Sequence, residues 1–396
     1  MALVALIAGL FAFSIFSKLS GPSKVYIKTI SGNCFKLIVN NSPYVIKGIV
    51  YSPVPIGENH TYDFWSDSRK PHMVDGKLMK DAGVNTIRVY QPGKYVKDTK
   101  ETMRDLYNIF GIKVAMGHWL GFWENPNYAD PVFREKIKED VLDMVRTYKD
   151  EKGILLWILG NENNTSFSYG PQSTNLWTTD EIEQLTDPFL KRQARAKFYY
   201  SFVNEVAKEI HKIDKFHPVV LANAELADID IAGEITPDID ILGCSIYRGK
   251  SFGSFFREAQ KKINKPILIT EFGCDRYDAF LKKEDQDIQA EFIEAEVKEV
   301  DKNTFSGTGA GNSIGCFVFE WTDEWWKLGE NDAARWSIHD TAASWSNGAY
   351  YFDIKAPQNI NINEEWWGVC SLKKRSKGLD EREPTRAYST LKKIWK

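Results

Sequence analysis

A basic excess is what the chain most plainly lacks: 51 Lys and Arg stand against 54 Asp and Glu, a formal net charge of −3 over 396 residues. Nothing is left over to neutralise a phosphate backbone, so nucleic acid is not the expected partner. Cysteine is sparse as well. The five, at positions 34, 244, 274, 316 and 370, contain no CxxC and no paired spacing of a zinc site. A chain of this length has no need of a disulfide framework, and the set reads as buried or incidental thiols. Repeats, low-complexity tracts and linkers are missing too, so a length that allows two or three domains of roughly 150 residues is equally met by one long-looped α/β barrel. At 43% hydrophobic and 27% charged residues, a disordered or collagen-like chain is excluded.

What the chain has in quantity is aromatic side chains, 13% of residues, including 13 Trp. Charge, by contrast, is absent from the first 17 residues, MALVALIAGLFAFSIFS, which Lys18 closes. That run is short for a membrane span and suits the apolar region of a signal peptide or signal-anchor, with Ala12-Phe13-Ser14 as the best cleavage site. Residues 1–20 are therefore expected to direct the rest of the chain out of the cytoplasm, secreted, periplasmic or held by an N-terminal membrane anchor.

From residue 35 the pattern is of strands. FKLIVNNSPYVIKGIVYSP (35–53) reads as a β-hairpin turning at Asn41-Ser42-Pro43. Short apolar strands then alternate with amphipathic helices. The strands are 45–51, 85–90, 113–119, 154–160, 218–223, 240–247, 266–272 and 314–321. Most are continuous apolar runs, as expected when both faces of a parallel sheet are covered. Helices are expected over 131–148, 188–214 and 285–300, with only a short one between the fifth and sixth strands. Eight strands alternating with helices predict a (β/α)8 TIM barrel, one α/β domain over 24–396.

In such a barrel the chemistry sits at the C-terminal ends of the strands. The fourth strand ends in Gly160-Asn161-Glu162-Asn163 and the seventh in Thr270-Glu271-Phe272-Gly273. Each glutamate follows a run of apolar residues. Either alone could be a helix-initiating Glu favoured by the helix dipole; two at these two strand ends point to paired-carboxylate chemistry.

On these residues the chain resembles the clan of retaining glycoside hydrolases built on (β/α)8 barrels, most of all the family 2 catalytic domain and the family 72 glucanosyltransferases. Leu159-Gly160-Asn161-Glu162 matches the acid/base motif and Thr270-Glu271-Phe272-Gly273-Cys274 the nucleophile motif. Lys47-Gly48-Ile49 on the first strand and 83–88 on the second support it, and the likeness spans about 35–325. It implies Glu162 as acid/base and Glu271 as nucleophile in a double displacement. It also implies Arg88 as a cation beside the nucleophile, Asn161 at the sugar 2-hydroxyl and Tyr247 as a hydrogen-bond donor to Glu271. His118, followed by Trp119 at the third strand's end, is a subsite candidate and equally a structural histidine.

The stretch 321–367 holds seven of the 13 tryptophans, with Glu320, Asp323, Glu324, Glu330 and Asp332 among them. Such a composition suits a saccharide cleft, since indole faces stack on sugar rings. Trp321 is expected to be a stacking platform near the carboxylates, with Trp325 or Trp326 nearby; a small extra core under a long loop is the competing expectation. The resemblance thus implies a retaining β-glycosidase or transglycosidase on an oligo- or polysaccharide, a β-glucan by the family 72 likeness. An exported, catalytically inert carbohydrate-binding barrel is one alternative. An exo-acting hydrolase of galactosides, glucuronides or mannosides is another. No metal motif appears, and the mechanism calls for no cofactor.

Overall fold

The computed structural model describes residues 21–124, 126–168, 177–278, 281–327, 329–341 and 363–396. The predicted export segment lies outside the described residues, as does Trp345. Among the described residues no helix is long and apolar enough to cross a membrane, and the five cysteines are free thiols, four of them buried.

The described chain opens with an antiparallel sheet of β1 (Val25–Ser31), β2 (Cys34–Val39) and β3 (Ser42–Tyr44). The hairpin expected at Asn41-Ser42-Pro43 is β2–β3. β1 was not foreseen; its alternation is weak, with one buried residue in seven. Hydrogen bonds tie this sheet and the residues just before it to the segments ahead of three barrel strands, from the Val25 N–H to the Phe216 carbonyl, from the Ser23 hydroxyl to the Lys152 carbonyl and from the Phe35 N–H to the Gly311 carbonyl. The sheet therefore covers the N-terminal end of the barrel, opposite the strand ends that carry the glutamates.

The barrel runs β4 (Ile46–Val50), β5 (Thr86–Val89), β6 (Lys113–His118), β7 (Ile154–Leu159), β8 (Val219–Ala224), β9 (Ile241–Ser245) and β10 (Ile267–Phe272). After the small ribbon β11 (Tyr277–Asp278) and β12 (Lys283–Glu284), β13 (Ser313–Val318) closes the ring between β10 and β4. All eight neighbouring pairs are parallel. β5, β7, β8, β9, β10 and β13 are buried at every residue, which is what their unbroken apolar runs require.

The longest helices match the sequence reading and start by one device. Asp130 and Asp187 each accept a backbone N–H two residues on, and each precedes a proline in the first turn of Pro131–Tyr148 and Pro188–Ile213. Asp285 caps Gln286–Lys302 in the same way. A seven-residue helix, Ile229–Ile235, fills the short gap between β8 and β9. The last helix, Arg386–Trp395, was not foreseen. It packs between Pro71–Ala82 and Gln286–Lys302, with the Tyr388 hydroxyl on the Leu78 carbonyl at 3.0 Å.

Candidate active site

Gly160 ends β7 with φ +76°, and a Cβ there would stand 2.7 Å from Asn163 Oδ1 and 2.9 Å from the Tyr199 hydroxyl. The glycine lets the chain turn sharply into Asn161-Glu162. Glu162 itself is left-handed at φ 55°, a conformation that costs a non-glycine residue about 1–3 kcal/mol. The surroundings hold it there. Its N–H donates to the Ala222 carbonyl at 3.1 Å and its carbonyl accepts from Thr165 at 2.8 Å. Asn163 donates to the Trp119 carbonyl and the Tyr128 hydroxyl, while Asn164 exchanges two bonds with Ala224. The two asparagines thereby bolt the end of β7 to the ends of β6 and β8. Sequence reasoning did not assign them this work, although three asparagines around one glutamate were a visible signal.

Glu271 stands near the end of β10, three strands round the ring from β7, and is buried. Arg88 Nη1 reaches its Oε1 at 2.7 Å, Tyr90 OH reaches the same oxygen at 2.7 Å, and Tyr247 OH reaches Oε2 at 3.0 Å. Three donors from β5 and the end of β9 fix both oxygens in place. Arg88 is itself buried: Nη1 also donates to the Thr270 carbonyl at 2.8 Å and Nη2 to Asn161 Oδ1 at 2.7 Å. That last bond leaves the Asn161 amide nitrogen as the end that can donate to a bound hydroxyl. The structure therefore brings Arg88, Asn161, Tyr247 and Glu271 into one network. Tyr90 was not singled out; two residues past Arg88, it leaves β5 on the same face, and that period-2 signal was available.

Glu162 stands against this network. Burial, then the charge of Glu271, push its carboxyl up to about 8, with Arg88 acting in the opposite sense and the Ser245 hydroxyl bonded to it. A carboxyl near neutrality beside a carboxylate held by three donors is the division of labour of an acid and a nucleophile.

His118 ends β6 with Nδ1 accepting from the Leu120 N–H at 3.1 Å, which places the ring proton on Nε2. Burial lowers its pKa to about 4, so it is a neutral donor at the mouth. Beside it an aromatic path leads outward from the nucleophile. Tyr90 stacks on Trp119 at 4.7 Å and 14°, and Trp119 meets Trp123 edge-on at 5.7 Å. Trp123, on the short turn Phe122–Glu124, is 69% exposed.

The expectation for Trp321 needs correction. Its side chain is wholly buried, with Tyr388 of the last helix against it at 6.4 Å. β13 ends at Val318, and beyond it Trp321 donates to the Val50 carbonyl and accepts from Cys370. The ring is drawn into the core, and with no exposed face it cannot stack on a sugar. Trp325 does not join the carboxylates either. One face lies on His339 at 4.1 Å, and it lines a recess of about 320 Å³ with Ile56, Ser337, Leu372, Lys373 and Lys374. Among the described residues no hydrogen bond or ring contact connects it to Glu162 or Glu271. The extra-core expectation holds for Trp321, while Trp325 is half-buried at its recess.

Comparison with known proteins agrees with this arrangement. Residues 183–306, which include Glu271, match the family model of the glycosyl hydrolase catalytic core. A β-mannosidase of Rattus norvegicus is 24% identical over 190 residues, 44% of this chain and 20% of that protein. Among solved structures, a β-D-glucuronidase of Dictyoglomus thermophilum superposes with a TM-score of 0.56 at 17% identity, covering 94% of this chain and 53% of that one. A Bacteroides uniformis β-glucuronidase does so with a TM-score of 0.60 at 15% identity, covering 94% and 37%. The chain thus spans about half or less of the length of these proteins. The fold is shared across nearly all of the present chain, and the two glutamates stand at the mouth of that shared barrel. The chain is a (β/α)8 barrel, and its residues 183–306 are similar to a glycosyl hydrolase catalytic core.

Proposed function

We propose that the protein is a retaining β-glycosidase in which Glu271 attacks the anomeric carbon and Glu162 protonates the departing oxygen. The observation that carries this reading is the contrast between the two carboxyls: Glu271 held by Arg88, Tyr90 and Tyr247, Glu162 raised to about 8 beside it. In the first step a Glu271 oxygen bonds to the sugar as the glycosidic C–O bond breaks, and the Glu162 proton goes to the leaving group. In the second, Glu162 takes a proton from water or an acceptor hydroxyl whose oxygen displaces Glu271. Asn161 donates to the 2-hydroxyl, and His118 Nε2–H donates to another.

The substrate belongs to the same reading. A β-linked oligo- or polysaccharide of glucan type, with transfer to an acceptor sugar as well as hydrolysis, is supported by the family 72 likeness of the motifs and by the rings of Trp119 and Trp123. Rings leading away from the nucleophile offer stacking faces to further sugar units. The N-terminal apolar run supports an extracytoplasmic setting. Incubation of the protein with β-glucans, mannans and aryl β-glycosides, followed by product masses, tests the whole. Products longer than the substrate establish transfer and shorter ones hydrolysis. Unchanged glycans throughout would favour an inert carbohydrate-binding barrel.

A further inference from the structure

Tyr247, which donates to Glu271, lies beyond the barrel wall. β9 ends at Ser245, and the Ile246 N–H donates to the Glu271 carbonyl at 2.9 Å. After Arg248 the chain turns at Gly249, with φ +90°. The Tyr247 ring meets Trp367 edge-on at 5.0 Å. The adjoining residue, Arg248, anchors the segment. Its Nε donates to Glu225 Oε1 at 2.7 Å, its Nη2 to Glu225 Oε2 at 2.6 Å and its Nη1 to the Phe252 carbonyl at 3.0 Å. The guanidinium also stands over the Phe255 ring at 5.6 Å. A two-pronged pair of this kind fixes direction as well as distance.

Glu225 follows Ala224, the last residue of β8, and is left-handed at φ 52°. A residue with a Cβ is kept in that region only where its surroundings over-determine it. Here they do. Its N–H donates to the Ser245 carbonyl at 3.2 Å, and its carbonyl accepts from the Cys244 thiol at 3.4 Å. One residue earlier, Ala224 exchanges two bonds with Asn164 of the loop that carries Glu162. The ion pair therefore joins two supports, the strand end behind the acid and the segment that presents Tyr247 to the nucleophile. The side chains of Arg248 and Glu225 are only 11% and 16% exposed. Withdrawing two charges from water costs desolvation that stability alone seldom returns.

We propose that Arg248 and Glu225 are positioning residues: their pair holds the Tyr247 hydroxyl on Glu271 and keeps that contact in register with the Glu162 loop. This rests on the glycosidase reading above and adds two residues to its machinery. The chemical consequence runs through Tyr247. A hydroxyl that donates to a carboxylate favours its ionised form, and the nucleophile attacks as the carboxylate. If the tyrosine drifts, Glu271 keeps Arg88 and Tyr90 on Oε1 and loses the Tyr247 donor on Oε2. Its proton affinity then rises, and the attacking group is less firmly aimed.

The test compares the full chain with Arg248→Lys, Glu225→Gln and Tyr247→Phe, and with each of the first two combined with Tyr247→Phe, all checked for a melting transition. Arg248→Lys keeps the charge and loses the fork; Glu225→Gln keeps the shape and loses the charge. On an aryl β-glycoside each should lower kcat about tenfold or more while KM changes less than about threefold. Each should also move the acid limb of kcat/KM to higher pH. In the Tyr247→Phe background neither should cost much more, because the contact they serve is already gone. Losses that add in full, or an acid limb that stays in place, would make the pair a brace of the fold and overturn the proposal. If Arg248→Lys does not fold, Glu225→Gln carries the same cycle. Crystal structures of the single variants give a readout without turnover. Tyr247 OH should leave hydrogen-bond reach of Glu271 Oε2, which it meets at 3.0 Å in the native chain; a hydroxyl still in place overturns the proposal. A native chain that cleaves no β-glycoside counts against the glycosidase reading, and the variant structures then decide the positioning role by themselves.

Discussion

Glu162 is a carboxyl in surroundings that penalise its charge, and the consequence is a pH profile. Its acid role needs the proton, and burial with the charge of Glu271 keeps that proton on up to about pH 8. Turnover of natural saccharides should therefore fall as pH rises through about 8. Glu162→Gln, assayed on an aryl glycoside with a good leaving group, should retain activity and lose this alkaline limb. A limb that persists in the variant assigns it to another group. Trp321 gives the opposite kind of residue prediction. Deleting a fully buried indole leaves a cavity costing about 3–5 kcal/mol, so Trp321→Ala should melt far below the wild type, with its KM for long saccharides unchanged in the folded fraction. A raised KM at an unchanged melting temperature would return the ring to the cleft. The difference between the two residues is instructive. Glu162, Glu271, Arg88, Asn161 and Tyr247 end parallel strands, where an apolar run followed by a polar residue has one geometric meaning. Trp321 lies three residues past its strand, and its direction is set by Cys370 and Tyr388, partners some 50 and 67 residues away that no local pattern announces.

At the level of elements, the barrel was readable because each strand and most helices carry their own signal: an unbroken apolar run, or an Asp-Pro start followed by apolar residues three and four apart. The elements that escaped are those whose burial comes from elsewhere. β1 is exposed along most of its length, and the ribbon of β14 (Cys370–Lys373) and β15 (Glu381–Pro384) is four residues a side. The helix Arg386–Trp395 completes the outer layer only because Tyr388, Leu391 and Trp395 are buried against helices from the two ends of the barrel sequence. Ending the chain after Thr385 should expose the apolar faces of those neighbours and abolish the cooperative melting transition followed by near-ultraviolet circular dichroism. A truncated chain with a sharp transition near that of the full protein would show the helix to be an accessory. Asn164→Ala should be milder. It removes the paired bonds between the β7 loop and Ala224, about 1–3 kcal/mol where a buried carbonyl loses its donor, and lowers kcat more than it raises KM because Glu162 loses its placement.

For the molecule as a whole, the raised carboxyls link stability to pH. Glu162 and Glu324 have ordinary values of 4.5 and are both raised to about 8 in the fold. The folded state then binds more protons than the unfolded chain between those limits, so their contribution is fully present below about 4.5 and is lost as pH rises through about 8. Melting temperature should decline over that interval, and the double variant Glu162→Gln with Glu324→Gln should flatten the decline; an equally steep decline in the double variant would locate the linkage in other groups. The same site geometry makes the central claim, that Glu271 is the covalent nucleophile, directly measurable. The protein is incubated with 2-deoxy-2-fluoro-β-glucosyl fluoride and its mannosyl counterpart, and its intact mass is measured and then resolved by peptide mapping. The account predicts a mass increase of one fluorinated sugar on the peptide carrying Glu271, and none in Glu271→Gln. An unmodified Glu271 in protein that turns over the unfluorinated parent glycoside, or an adduct on another residue, would contradict it.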